Sequence, residues 1–117
     1  MVFDVIFYES EKGDKPVEMF LDSLDDKMRA KLISLLVLLS EEGNELREPY
    51  SKHLQEGIFE IRCKLGNNIT RVLYFFYYDK KIILTNGFVK KTQKTPKKQL
   101  TIAMDRRKSY IERSENR

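Results

Sequence analysis

The run Ile69-Thr-Arg-Val-Leu-Tyr-Phe-Phe-Tyr-Tyr78 carries one charged side chain, Arg71, among β-branched and aromatic residues. Such residues suit a pleated, packed surface, and both alternating faces of the run are largely apolar. It therefore reads as a central strand covered on both sides, which requires a sheet with neighbours and further layers. The flanks supply them. Upstream, Phe59, Ile61, Cys63 and Leu65 alternate with Glu60, Arg62 and Lys64, giving one apolar and one charged face. Gly66-Asn67-Asn68 is a hairpin turn signal. Downstream, Asp79-Lys80-Lys81 turns the chain into a third strand, Ile82 to Val89.

The remaining segments have helical spacing. Val2 to Tyr8 is a short opening strand, and Gly13 and Asp14 punctuate the chain after it. Pro16 then suits a first helical turn, and Val17, Phe20, Leu21 and Leu24 recur as one short helix. Asp25 and Asp26 favour the start of a second helix. Its buried stripe is Met28, Leu32, Leu35, Leu36 and Leu39, and Gly43 ends it. Residues 44–56 are polar and expected to be irregular, with Pro49 and Gly57 as breakers. Thr95 as cap and Pro96 at the first position should open a last helix marked by Leu100, Ala103, Met104, Tyr110 and Ile111. The order of strand, helical hairpin, three-strand meander and helix predicts an α+β fold. At 117 residues, one domain spanning 1–117 is expected.

Several function classes are disfavoured. Acidic Asp4, Glu9 and Glu11 bracket the first apolar run, unlike a signal peptide. The longest apolar stretch, Leu32 to Leu39, is far below the ~20 residues of a membrane span, so a cytoplasmic protein without membrane contact is expected. One cysteine and one histidine allow neither an internal disulfide nor a Cys/His zinc cluster, and Cys63 falls on an apolar strand face as a core residue. The phosphate-cradling GxxxxGK[ST], the metal-binding HExxH and the nucleophile-elbow GxSxG are all missing from the sequence.

Charge is distributed unevenly. Residues 1–87 hold twelve Lys/Arg against fifteen Asp/Glu, a net −3, while residues 88–117 hold ten against three, a net +7. The asymmetry points to a polyanionic partner on the basic side, with a solvated basic tail as the plainer alternative. Arg71, inside an apolar run, must be paired or must reach an anion. A salt bridge to Glu60 across the hairpin and an anion site shared with Arg62 are both open. Lys90, Lys91, Lys94, Lys97 and Lys98 lead into the last helix, where positive charge opposes the helix dipole. Such cations, with free backbone N–H groups and the hydroxyls of Thr92 and Thr95, suit a phosphate. Arg106, Arg107 and Lys108 extend the basic surface. Tyrosines 50, 74, 77, 78 and 110 are candidates for stacking on bases, although most belong to core or rim. His53, after Lys52, is a candidate acid or base or an incidental loop residue.

The stretches Gly57-Ile-Phe-Glu-Ile-Arg62, Arg71-Val-Leu-Tyr-Phe-Phe76 and Asn86-Gly-Phe-Val-Lys-Lys-Thr-Gln-Lys-Thr-Pro96 resemble the HigB-like, partly phage-derived branch of the RelE/ParE toxin superfamily. Pro49-Tyr-Ser-Lys-His-Leu54 is similar too. The resemblance covers nearly the whole chain and implies a microbial-ribonuclease-like fold. It also implies cleavage of mRNA on the ribosome without a metal or other cofactor. The implied partner is a HigA-like helix-turn-helix antitoxin, through whose complex alone operator DNA would be met. Carried over by position, Arg71 would stabilise transition-state charge, and Arg62 and Lys94 would contact phosphate. Lys90 or Lys91 would be the base or acid, with Glu60 a second candidate base. Lys52, His53, Lys64, Lys97, Lys98, Arg106 and Arg107 would contact RNA. Some RelE relatives use a histidine or tyrosine near the chain end, whereas Tyr110 here fits an apolar stripe. A ParE-like DNA gyrase poison and a non-catalytic RNA-binding module are the alternative readings.

Overall fold

The computed structural model describes residues 2–90 and 94–116. In chain order the elements are β1 (Asp4–Phe7), α1 (Pro16–Ser23), α2 (Asp26–Glu42), a 3-10 turn (Gly43–Glu45), β2 (Ser51–Gln55), β3 (Ile58–Leu65), β4 (Asn68–Tyr77), β5 (Lys81–Val89) and α3 (Lys97–Glu115). The strands form one sheet in the order β1-β5-β4-β3-β2. All neighbours are antiparallel except β1, which runs parallel to β5. The α+β expectation holds, with β4 at the centre. No helix among the described residues is long and apolar enough to cross a membrane.

The sheet is covered on both faces. On one, α1 and α2 bring Val17, Leu21, Met28, Leu32, Leu36 and Leu39 against Ile61, Cys63, Val72, Tyr74, Ile82 and Leu84. On the other, Ala103 of α3 and the half-buried Leu100, Met104 and Tyr110 cover Ile58, Leu73, Phe75, Ile83 and Phe88. Strand β4 feeds the two cores alternately, Val72 and Tyr74 to the first, Leu73 and Phe75 to the second. That is why its sequence lacks a polar face. Burial pushes the Tyr74 phenol up to about 12, against a hydrogen bond with Ser51.

Local chemistry sets the helical hairpin. The Asp25 carboxylate accepts the Met28 N–H at 2.9 Å and caps α2, worth ~1 kcal/mol. At its far end Gly43 adopts φ +54°, and a Cβ there would overlap the Phe3 ring. At Gly87 a Cβ would overlap the Phe20 ring, so α1 packs directly on the backbone of β5.

Two expectations are corrected. Residues 44–56 are not irregular throughout: Ser51–Gln55 form the edge strand β2, with Lys52 opposite Glu60 and His53 opposite Phe59. An edge strand needs little apolar surface, and only Ser51 of β2 is buried, so no alternation marks it in the sequence. Thr95 does not cap α3. The cap position is Pro96, without a side-chain hydrogen bond; Thr95 stands one residue earlier, and its hydroxyl donates to the Glu60 carboxylate at 2.6 Å. That charge-assisted bond holds the Thr95 side chain toward the sheet.

Candidate active site

Helix α3 starts at Lys97 and covers only part of its sheet face. Beyond its first turn the same face carries Glu60 and Arg62 from β3, Arg71 from β4, and Lys90 just past β5. The register places Arg62 directly opposite Arg71. Lys90 is fixed by its own N–H, which donates to the Ile69 carbonyl at 2.8 Å. Asn86 ties the first turn of α3 to β5 by donating to the Gln99 side chain at 2.9 Å.

Glu60 is the centre of the cluster and is fully buried. Its Oε1 lies 3.3 Å from Arg71 Nε, 3.5 Å from Arg62 Nε and 3.8 Å from Lys90 Nζ. Its Oε2 accepts the Thr95 hydroxyl. Three cations thus surround one carboxylate, leaving an excess of positive charge. The contacts to Arg71 and Lys90 are ion pairs of loose geometry. Among the described residues, Arg71 Nε and Lys90 Nζ are buried without a hydrogen-bond partner. Buried donors in that state are rare and costly.

The electrostatics follow from this crowding. Burial lowers the pKa of Lys90, and Glu60 opposes that while Arg71, Arg62 and Lys52 reinforce it. The Arg71 guanidinium is likewise held below its ordinary value by burial, with Glu60 pulling upward and Arg62 downward. A cation of lowered pKa can exchange a proton near neutral pH more readily than a free lysine. Two fixed guanidinium groups can meet phosphoryl oxygens.

Two clefts flank Arg62. One, of about 240 Å³, is lined by Lys52, His53, Arg62, Lys90, Lys94 and Thr95, with Leu100. The other, of about 300 Å³, is lined by Lys31, Tyr50, Arg62, Lys64, Ile69 and Arg71, with Leu35 and Pro49. Of the residues expected from sequence, Glu60, Arg62, Arg71, Lys90 and Lys94 come together here, with Lys52, His53 and Lys64 at the margins. Lys91 and Thr92 lie outside the described residues. Lys97 and Lys98 are exposed in the first turn of α3.

Arg106 and Arg107 sit elsewhere. Arg106 donates to the Thr85 carbonyl at 2.8 Å and stands over the Tyr8 ring, while Arg107 stands over Phe75. Tyr110 packs edge-on against Phe75 and Tyr77. Cys63 is buried beside Met28. Among the described residues no three His, Cys, Asp or Glu side chains are grouped as a metal would need. Sequence reasoning missed the bond from Thr95 to Glu60 and the cleft around Tyr50. No local pattern signals either, since both depend on the β2–β3 and β3–β4 pairings.

A family model described as "Phage derived protein Gp49-like (DUF891)" matches residues 19–108. Similar proteins include the probable endoribonuclease HigB1 of two strains of Mycobacterium tuberculosis. Each is 34% identical over 105 residues, which span 89% of this chain and 82% of the relative. The matched region contains β2 through β5 and every described residue of the cation cluster. With the predicted fold present as well, the chain belongs to the Gp49-like, HigB-type family of phage-derived toxins in the RelE superfamily.

Proposed function

We propose that this protein is the toxin of a toxin–antitoxin pair and acts as an endoribonuclease on mRNA held by the ribosome. The name of the Mycobacterium tuberculosis relatives supports RNA cleavage. The observation that carries the reading is the crowding of Arg62, Arg71 and Lys90 around Glu60, with the buried Arg71 Nε and Lys90 Nζ only loosely ion-paired to it and without a hydrogen bond among the described residues. A phosphodiester supplies the anion such a cluster lacks.

In the proposed reaction the RNA 2′-hydroxyl attacks the adjacent phosphorus. The 2′-O–P bond forms and the P–O5′ bond breaks, giving a 2′,3′-cyclic phosphate and a 5′-hydroxyl end. Arg71, with Arg62, neutralises charge on the non-bridging oxygens. Lys90 in its neutral form takes the 2′-hydroxyl proton, and the departing 5′-oxygen takes one from water in the open cleft. Glu60 holds the three cations in register, and Thr95 holds Glu60. Lys91 and Lys94 contact the flanking phosphates, while Lys52, His53, Lys64, Lys97 and Lys98 guide the strand. Such a route needs no metal, in keeping with a site built from cations around one carboxylate. Arg106 and Arg107, which pack between α3 and the sheet, would contact RNA beyond the cluster.

The proposed antitoxin is a helix-turn-helix protein whose acidic surface covers the cluster, operator DNA being bound through the complex. The test is primer extension on a reporter mRNA in a purified translation system. Cuts inside translated codons with wild-type protein, lost without ribosomes and lost in Arg71→Ala, are expected. Intact mRNA with the wild type would overturn the nuclease reading and favour a gyrase poison or a binding module.

A further inference from the structure

The tyrosines separate clearly in the fold. Tyr74 is buried in the α1/α2 core, Tyr8 lies against α3, and Tyr110 of α3 meets Phe75 and Tyr77 of β4 edge-on. Tyr78 is 73% exposed but lies in the β4–β5 turn, about 20 Å along β4 from Arg71 at the usual rise per residue. Tyr50 is 46% exposed and lines the cleft of about 300 Å³ that opens beside Arg62 and Arg71.

Its position is fixed relative to the cations. The Tyr50 carbonyl accepts the Arg62 N–H at 2.8 Å, and the Tyr50 N–H donates to the Arg47 carbonyl at 3.1 Å. The Tyr50 side chain lines one of the two clefts that share Arg62. Around it are apolar Pro49, Ile69 and Leu35, and cations Lys31 and Lys64. The Lys31 ammonium donates to the Lys64 carbonyl, which ties its charge to the β3 side of the cleft. An aromatic side chain, apolar neighbours and cations are the components of a nucleotide subsite, the base stacking and the phosphate meeting the cations. The volume accepts one base with its ribose.

We propose that the Tyr50 cleft binds the base of the nucleotide next to the scissile phosphate, stacking it on the Tyr50 ring. The inference rests on the nuclease reading of the adjacent cation cluster and extends it: Tyr50 positions the RNA strand and contributes to which nucleotide is preferred there. The second cleft, with Lys52, His53 and Lys94, then receives the strand on the other side.

Two measurements test this. In the ribosomal cleavage assay, Tyr50→Ala should lower kcat/KM about tenfold, mostly through KM, and flatten the preference at one codon position. Loss of one stacked base is an effect of that order. Tyr50→Phe should restore both. Separately, NMR titration of the wild type with a ribodinucleotide carrying a 2′-O-methyl group at the cleavage position should shift Tyr50 and Ile69 resonances. Inorganic phosphate should move the Arg62 and Arg71 guanidinium resonances and leave the Tyr50 ring and Ile69 methyl resonances in place. Wild-type cleavage with Tyr50→Ala unchanged in KM and preference would overturn the subsite while leaving the nuclease intact. Should the wild type not cut at all, the nuclease reading fails. The dinucleotide then decides the subsite alone: shifts at Tyr50 and Ile69 keep it, and their absence overturns it.

Discussion

Lys90 keeps an ammonium almost wholly out of water, its residue only 5% exposed, and Lys90→Met is expected to stabilise the fold while abolishing cleavage. Among the described residues its Nζ has no hydrogen-bond partner, and its one anionic neighbour, Glu60 Oε1, is 3.8 Å away. Glu60 also lies closer to Arg71 and Arg62. An unsatisfied buried donor costs about 1–3 kcal/mol, more when charged, and replacing a buried ion with a side chain of like volume is often neutral or stabilising. The lowered pKa of Lys90 points the same way: burial, with Arg71, Arg62 and Lys52, outweighs Glu60. After subtracting the lost attraction to Glu60, a gain of about 1 kcal/mol remains, or roughly 4 °C in Tm for a domain of this size. The pH dependence has a definite sign. A lysine with a depressed folded pKa binds fewer protons folded than unfolded between that pKa and its ordinary 10.5. Its penalty is complete below the folded pKa and vanishes as pH rises toward 10.5. The Tm advantage of Lys90→Met over wild type should therefore be largest near neutrality and shrink in alkali. Calorimetry of both proteins across that range measures it, and cleavage should fall by about 10²-fold or more if Lys90 transfers a proton. A Tm lowered by several degrees at neutral pH would refute the reasoning and make the Lys90–Glu60 pair a net support of the fold.

Glu60→Gln should destabilise the protein by roughly 3 kcal/mol, because removing one member of a buried ion cluster leaves like charges unopposed. Denaturant titration should show most of that loss recovered in sulfate, which supplies the missing anion. Arg71→Lys should retain the fold within about 1 kcal/mol yet lower cleavage about 10²-fold, since a lysine cannot present a two-pronged donor. Primer extension and thermal melts on one preparation separate the two effects. Gly87→Ala should lower stability by about 1–3 kcal/mol by driving a methyl into the Phe20 ring. Its cleavage per folded molecule should stay at the wild-type level.

Most of the fold was legible because period and punctuation agreed. The α2 stripe Met28, Leu32, Leu35, Leu36 and Leu39 is buried as its spacing requires. The unbroken apolar run of β4 does face two cores. What failed was β2. Its place in the sheet comes from backbone pairing with β3, not from burial of its own side chains, so Lys52-His53-Leu54-Gln55 gives no signal until β3 is in place. The parallel partnership of β1 with β5 was equally hidden, since a four-residue strand carries no mark of direction.

The site was legible for a different reason, the violation of local rules. Two arginines directly opposed across a hairpin repel each other. A glutamate buried to zero exposure is costly alone. Lysines at the start of a helix oppose its dipole. Each choice is unfavourable separately, and together Glu60 offsets only part of the charge of Arg62, Arg71 and Lys90. Natural sequences break such rules together mainly where function demands it. Arg62 and Arg71 stood out in the sequence as charges on strands, whereas the engagement of Thr95 did not. A threonine before a proline predicts a cap on local grounds, whereas the bond that its hydroxyl donates goes to Glu60, 35 positions away. Long-range partners of this kind decide which of a residue's possible bonds it makes, and they become visible only once the sheet has brought them together.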